Sequence, residues 1–230
     1  MTIFDLLDQL AFLRGMPSVV VLLGAAFVAV VAWDMRPAIL GVFVHYLLAG
    51  LLFVDVLDPR LAVVYTLAGL FVSAMLLVTA WQVNWGRPPA GLSAEEMARL
   101  GPARSRRAGR FAVTNRAVVR LAAAVLALVA TVWVWRAPGL LPAVVPDTTG
   151  YLEPAIVGLV ALGLAGLTTS AEPLPSGIGL LLFLTGFALY YGLLDQSIAM
   201  TVALVVAQLT VALVVAYLAQ ARYLPVDVLE

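Results

Sequence analysis

The sequence predicts an all-α, polytopic bundle of about seven membrane-spanning helices. Of its 230 residues, 63% are hydrophobic and only 11% are charged, and the mean hydropathy is +1.06. A soluble protein needs more polar surface than this to cover its core. Apolar stretches of about 20 residues, long enough to cross a bilayer, recur along nearly the whole chain. Helices are expected because each span must satisfy its own backbone hydrogen bonds in lipid.

Seven apolar stretches define the predicted spans. They are Pro17–Trp33, Pro37–Leu57, Leu61–Val83, Arg116–Trp135, Pro154–Thr169, Ser176–Leu194 and Ile198–Gln220. Before the first span, apolar residues between Phe4 and Ala11 follow helical spacing, which is typical of a short helix on the membrane surface. Because further spans follow the first one, we interpret it as an anchor and not as a cleaved signal peptide.

Charge and cysteine content exclude several classes of function. The 13 basic residues, all arginine, balance 13 acidic ones, so there is no general attraction to nucleic acid. The chain has no cysteine, which excludes disulfides, thiol chemistry and iron–sulfur ligation by cysteine.

The placement of arginine predicts the orientation of the spans. A polar basic loop, residues 84–115, separates the third span from the fourth. Five of its arginines are Arg99, Arg104, Arg106, Arg107 and Arg110. The positive-inside rule places this loop in the cytoplasm, and alternation then puts the N-terminus outside the cell inner membrane and the C-terminus in the cytoplasm. Within the loop, Ser93 and Glu96 fit a capping box, which predicts a short helix over Ala94–Leu100.

The arginine cluster has two interpretations. It is a topology signal that also attracts anionic lipid, or it holds the phosphate of a nucleotide or a lipid. No glycine-rich phosphate loop accompanies it, which favours the first interpretation.

When the chain is shifted by 138 residues, acidic, proline, glycine and glutamine positions of its two halves coincide. In this alignment "DMRPAILG" lies over "EPLPSGIG". The paired positions are Asp34 with Glu172, Pro37 with Pro175, Gly41 with Gly179 and Gln82 with Gln220. This pattern indicates two three-helix repeats that point the same way, because one helix between them restores the orientation. The corresponding division is an N-terminal three-span unit at 1–83, the basic loop at 84–115, a linking span at 116–137 and a C-terminal three-span unit at 153–230.

His45, the only histidine, lies deep in the second predicted span. Helical spacing puts Gly41, His45 and Ala49 on one face. Small residues mark places where another helix comes close, so we expect His45 to face protein. We interpret it as a structural hydrogen-bond donor across a helix pair. A proton or quinone contact and haem ligation are the alternatives, although haem b usually takes two axial ligands and there is no second histidine.

Gln208 is the other deep polar side chain, on one helical face with Thr201 and Ala212. Because an amide does not titrate, we expect it to make a hydrogen bond between helices.

The predicted helix-packing positions are Gly41, Ala49, Gly158, Gly179 and Gly186. The six acids Asp34, Asp55, Asp58, Glu153, Glu172 and Asp195 lie at span ends. With no Ser/His/Asp set, no metal-ligand cluster and no glycine-rich loop, the sequence predicts no catalytic residue, metal site or cofactor.

One segment of the C-terminal half, "GLLLFLTGFALYYGLL", begins at Gly179 and contains Thr185 and Gly186. The last three spans resemble the K subunit of respiratory complex I, a family of three helices with buried acids in the second and third. The whole chain resembles its longer relative, the E membrane subunit of hydrogenase-4 and formate-hydrogenlyase complexes. That relative has a similar length, extra N-terminal spans and a K-like C-terminal half, and the chain end "YLPVDVLE" is similar to its short cytoplasmic tail.

The chain departs from this family at the buried acids, because Leu184 and Gln208 stand at their positions. The resemblance therefore implies a non-catalytic subunit of a complex I-like or hydrogenase-like assembly. It would bridge a quinone-end module and an antiporter-like module, with other membrane subunits and the bilayer as partners. Two alternatives stay open. One is a stand-alone carrier with a site between the repeats, near Gly41/His45 and Gly179/Gly186. The other is a structural subunit of a photosynthetic or cytochrome complex.

Overall fold

The computed structural model describes residues 15–86, 115–137 and 149–223. Within these ranges the chain forms seven α-helices and one 3-10 turn, Asn84–Gly86, and no strand. The helices are α1 (Met16–Val31), α2 (Met35–Phe53), α3 (Pro59–Gln82), α4 (Asn115–Arg136), α5 (Leu152–Thr169), α6 (Pro173–Leu194) and α7 (Ile198–Tyr223). The predicted all-α fold class is confirmed, and each predicted span falls on one helix.

Helices α2 to α7, six of those described, are long and apolar enough to cross a membrane. Helix α1 has 16 residues. At about 1.5 Å per residue it rises about 24 Å, less than the roughly 30 Å of a hydrocarbon core. The chain is therefore a multi-pass helical membrane protein whose outer face contacts the bilayer. Its placement in an inner membrane and the sides of its termini stay predictions.

Short polar and proline-containing connections set the helix boundaries. Pro59 and Pro173 are the first residues of α3 and α6, where a missing N–H breaks no helical hydrogen bond. Asp58 caps α3, because its Oδ1 accepts a hydrogen bond from the N–H of Arg60 at 2.8 Å. Asp34 caps α2 in the same way. These local signals fix where the chain reverses at each membrane surface.

Two three-helix units form the bundle. Helices α1 to α3, the first unit, pack in sequence, and so do α5 to α7, the second unit. The units meet where α1 packs on α5 and α3 packs on α7. Helix α4 lies at the outside against α5 and α1. Its most apolar stretch is 17% buried, against 67% for that of α2, so α4 is largely exposed at the surface of the bundle.

The two ends of the bundle are named here by their capping acids. The Asp58 end is the one at which α2 and α6 terminate and α3, α5 and α7 begin. Helices α2 and α6 begin, and α3 and α7 end, at the Asp34 end. This arrangement follows from the helix order.

Equivalent glycines make equivalent contacts in the two units. A methyl group on Gly41 would lie 2.7 Å from the carbonyl oxygen of Ala25, and one on Gly179 would lie 2.8 Å from that of Gly163. Both members of the first contact lie 138 residues before their counterparts in the second. The side chains of Gln82 and Gln220, also 138 residues apart, are hydrogen-bonded to each other. The packing therefore repeats in the register that the sequence punctuation indicates, while the proposed unit boundaries in the chain stay a prediction.

Several predicted features lie outside the described residues. They are the surface helix between Phe4 and Ala11, the helix Ala94–Leu100, and the loop arginines Arg99, Arg104, Arg106, Arg107 and Arg110.

Candidate functional site

Four buried polar side chains meet between the two units, and we name them the interunit cluster. Tyr46 lies on α2, Tyr65 on α3, Thr185 on α6 and Gln208 on α7. None of the four is more than 1% exposed. Gln208 follows the start of α7 by ten residues, which is about 15 Å at 1.5 Å per residue. The cluster therefore lies near the middle of the membrane, where polar groups are costly unless they are bonded.

A directed series of hydrogen bonds connects three members of the cluster. The amide Nε2 of Gln208 donates to the Tyr65 hydroxyl. That hydroxyl donates to Oγ1 of Thr185 at 3.3 Å. Thr185 in turn donates to the carbonyl oxygen of Leu181 at 2.9 Å. Each donor thus has an acceptor, and the bonds join α7 to α3 and α3 to α6, so that the series crosses the boundary between the units twice.

Packing against glycine and aromatic rings holds the tyrosines in place. The Tyr46 ring lies directly over Gly69 of α3, leaving no room there for a side chain. The Tyr65 ring packs on Phe53, with the ring centroids 4.0 Å apart. The Tyr46 and Tyr65 centroids are 6.5 Å apart. The two tyrosine rings are therefore held close together in the interior of the bundle.

Two atoms of the cluster have no hydrogen-bond partner among the described residues. They are the Tyr46 hydroxyl and Oε1 of Gln208. The Tyr46 hydroxyl lies close to Tyr65 and Thr185, but it makes no hydrogen bond of acceptable geometry with them. A buried polar atom left unbonded costs about 1–3 kcal/mol.

His45 is fully buried, as the sequence predicts, but its predicted hydrogen bond is not formed. Neither ring nitrogen has a partner in the described part of the chain. The ring instead packs edge-on against Tyr46, with centroids 5.2 Å apart.

The structure places the other predicted site residues in helix contacts. Gly41 faces α1, Gly179 faces α5, and Ala49 is fully buried. A methyl group on Gly158 would contact Leu23 and Thr131, and one on Gly186 would lie 3.0 Å from the Leu159 side chain. Gln208 makes its predicted bond between helices.

Sequence reasoning missed Tyr46 and Tyr65. A tyrosine in an apolar span is most often an interface anchor, and neither was considered as a deep polar group. Their positions in the spans could have identified them as deep polar groups, because Tyr65 lies six residues after the start of α3 and Tyr46 lies seven residues before the end of α2.

Charged and amide side chains tie the units together at the Asp58 end. The Tyr151 hydroxyl donates to Oδ2 of Asp55 at 2.7 Å. Nε2 of Gln196 donates to the carbonyl oxygen of Val56 at 2.8 Å. At the Asp34 end, the Arg36 guanidinium lies 5.2 Å from the centre of the Trp85 ring, a distance suited to a cation–π contact. Polar contacts therefore join helices at both ends of the bundle as well as at the interunit cluster.

No group of three or more His, Cys, Asp or Glu residues within the described ranges is placed to hold a metal ion. Comparison of the chain with models of protein families, with curated protein sequences and with solved structures finds no match.

Proposed function

We propose that this chain is a non-catalytic membrane subunit of a larger respiratory or ion-translocating assembly of the complex I-like or hydrogenase-like class. The observation that carries the proposal is the bond from Gln208 to Tyr65. The resemblance to the K-like family puts a buried acid at the position of Gln208. An amide can hold helices together but cannot carry a charge through titration, so here the position fastens the two units.

The acids of the described helix ends support the same role. Asp34 and Asp58 cap helices, Asp55 accepts the Tyr151 hydroxyl, and Asp195 accepts the N–H of Ser197 at 3.0 Å. Each of these carboxylates serves the local structure of the bundle. A subunit built in this way supplies a rigid surface for neighbouring membrane subunits, and the neighbours supply the titrating groups.

Affinity purification of the tagged full chain from its native membrane in mild detergent tests the proposal. We expect stoichiometric co-purification of other integral membrane subunits, with antiporter-like and quinone-end proteins identified by mass spectrometry. Recovery of the chain as a monodisperse monomer would count against a subunit role.

A matched pair of glutamine variants separates fastening from proton transfer. Gln208→Met keeps the length of the side chain and removes the bond to Tyr65, so we expect less assembled complex but unchanged ion translocation per assembled complex. Gln220→Met removes the bond to Gln82 near the exposed end of the same helix, so it should lower assembly less than Gln208→Met does and leave translocation per assembled complex unchanged. Normal assembly of Gln208→Met with loss of translocation would show that the cluster takes part in the chemistry.

A stand-alone carrier is the second candidate, favoured by the repeat itself. Two units that pack alike around a polar cluster near the membrane centre are the arrangement of many transporters. Solute flux by the purified monomer in proteoliposomes would select this function over the first.

A further inference from the structure

A shallow cleft opens at the Asp34 end of the bundle, where four helices come together. Its walls come from the connection between α1 and α2, the beginnings of α2 and α6, and the outer helix α4. Several of its lining side chains are buried and apolar, and they include Met35, Ile39, Leu174 and Ile178. The cleft therefore has an apolar floor.

Two charged side chains of opposite sign line this cleft. They are Arg120 of α4 and Asp34, which precedes α2, and no other described residue in the wall is charged. Both are partly exposed. A guanidinium has five N–H donors and a carboxylate has about four acceptor positions, so each group can bond a ligand in addition to the contacts it already makes. Asp34 makes one such contact, because its Oδ1 accepts the N–H of Arg36 at 3.4 Å.

The cleft lies within reach of lipid headgroups. Asp34 caps the start of α2, and Arg120 lies five residues after the start of α4, which is about 7.5 Å at 1.5 Å per residue. The interfacial layer on each side of a hydrocarbon core is about 5–8 Å thick. Trp33, another residue of the wall, is 57% exposed, as is typical of tryptophan at this level of a membrane.

The open shape of the cleft favours a lipid over a soluble ligand. The cleft has about 350 Å³ of space when the open solvent at its mouth is included, and the enclosed part holds only about one or two water molecules. Sites for soluble small molecules usually bury about 70–90% of the ligand surface, which this cleft cannot do. A phospholipid needs no such enclosure, because its acyl chains hold it in the bilayer beside the cleft.

We propose that this cleft binds a zwitterionic phospholipid headgroup with a free ammonium group, as in phosphatidylethanolamine. The phosphate accepts hydrogen bonds from the Arg120 guanidinium, and the ammonium group donates to the Asp34 carboxylate. Phosphatidylglycerol offers no cation to Asp34, and the quaternary ammonium of phosphatidylcholine has no N–H to donate. The inference is independent of the proposed function, because the cleft contains no residue of the interunit cluster.

Native mass spectrometry of the purified full chain tests the proposal. The protein in detergent is mixed with equal amounts of phosphatidylethanolamine, phosphatidylglycerol and phosphatidylcholine that carry the same acyl chains, and the bound lipid is identified from the mass of each complex. A partly exposed charge pair changes an affinity by up to about fivefold. We therefore expect the complex with phosphatidylethanolamine to exceed each of the others by about threefold to fivefold. Equal binding of the three lipids, or a preference for phosphatidylglycerol, would overturn the proposal.

Asp34→Asn separates headgroup recognition from folding, because asparagine also caps helices. The variant lacks the charge that distinguishes the three headgroups, so we expect the preference for phosphatidylethanolamine to be lost. Asp58→Asn is the matched control, since Asp58 caps α3 at the opposite end and is not part of the cleft wall. Loss of the preference in both variants, or in neither, would contradict the assigned site.

Arg120→Gln removes the contact that all three phosphates share. We expect it to lower the binding of each lipid by a similar factor of about threefold, whereas Arg136→Gln, at the exposed opposite end of α4 and outside the cleft wall, should not. Equal lipid binding by the two arginine variants would show that the phosphate is not held by Arg120. If Arg120→Gln does not fold, Asp34→Asn and its control decide the outcome alone.

Discussion

The first and second units pack alike but differ in chemistry. Gly41 and Gly179 bring their helices equally close to the preceding helix in each unit. The polar cluster residues, by contrast, have apolar counterparts 138 residues away. The pairs are His45 with Phe183, Tyr46 with Leu184, Tyr65 with Ala203, Thr185 with Leu47 and Gln208 with Leu70.

The polar residues in which the two units differ are the ones that bond one unit to the other. Tyr65 of the first unit bonds Thr185 and Gln208 of the second. Neither unit could form these bonds with a copy of itself, because the complementary groups are divided between them. Backbone packing thus sets the shape of each unit, and the divided hydrogen bonds determine that unlike units pair.

Substitution of the two equivalent glycines tests whether the units pack in the same way. We expect Gly41→Ala and Gly179→Ala to lower the free energy of unfolding by about 1–3 kcal/mol each, because the new methyl group meets a backbone carbonyl that cannot move aside easily. The midpoint of unfolding in detergent, measured for both variants under the same conditions, checks this. The two losses should agree closely.

Gly24→Ala is the control for this pair. Gly24 is exposed on α1, with open space where a methyl group would lie. Its replacement should be neutral or stabilise the helix by about 0.5–1 kcal/mol. Destabilisation by only one of the two buried glycines would show that the units are not equivalent in packing.

Variants of the two tyrosines test which hydroxyl group bonds the units together. Tyr65→Phe removes a hydroxyl that bonds α6 and α7, and we expect a loss of about 0.6–2 kcal/mol. Tyr46→Phe removes a hydroxyl with no partner among the described residues, and we expect a change below about 0.5 kcal/mol. Chemical unfolding of both variants measures the difference. Equal losses would contradict the hydrogen-bond series.

The helices were predictable because length and apolarity decide them in a membrane. Each predicted span falls on a helix, and a proline with an acidic residue before it marks the starts of α2, α3 and α6. The first span was predicted to reach Trp33, but α1 ends at Val31, because the backbone of Ala32 leaves the helical conformation. The 138-residue register was visible in the paired acidic, proline, glycine and glutamine positions. A glycine at a helix crossing has few substitutes.

The site was only half predictable from the sequence. An amide deep in an apolar stretch must bond something, so Gln208 was identified, but helical periodicity gives the face of a residue and not the helix opposite. Tyr65 was therefore missed as its partner. For His45 the burial was predictable, whereas helical periodicity does not tell whether a neighbouring helix presents an acceptor.

A smaller effect is expected where the units meet symmetrically. Gln82 and Gln220 bond across α3 and α7 near the exposed Asp34 end. A double-mutant cycle with Gln82→Ala and Gln220→Ala should give a coupling of no more than about 0.6 kcal/mol, the average for polar contacts between membrane helices. A coupling as large as the loss in Tyr65→Phe would mean that this symmetric contact, and not the cluster, fastens the units.

The smallest effect is expected at the histidine. His45 is buried, yet neither ring nitrogen is bonded within the described ranges, so its polarity gives no stability to the isolated chain. His45→Leu removes two unpaired polar atoms and nearly preserves the volume, and replacing an unbonded polar group by an apolar one is close to neutral. We expect the free energy of unfolding to change by less than about 0.5 kcal/mol, or to rise, when measured by denaturant unfolding of the purified chain. A loss of about 1–2 kcal/mol, the size of a membrane hydrogen bond in model peptides, would mean that a nitrogen of His45 is bonded after all, and the difference between the units would then extend to this position.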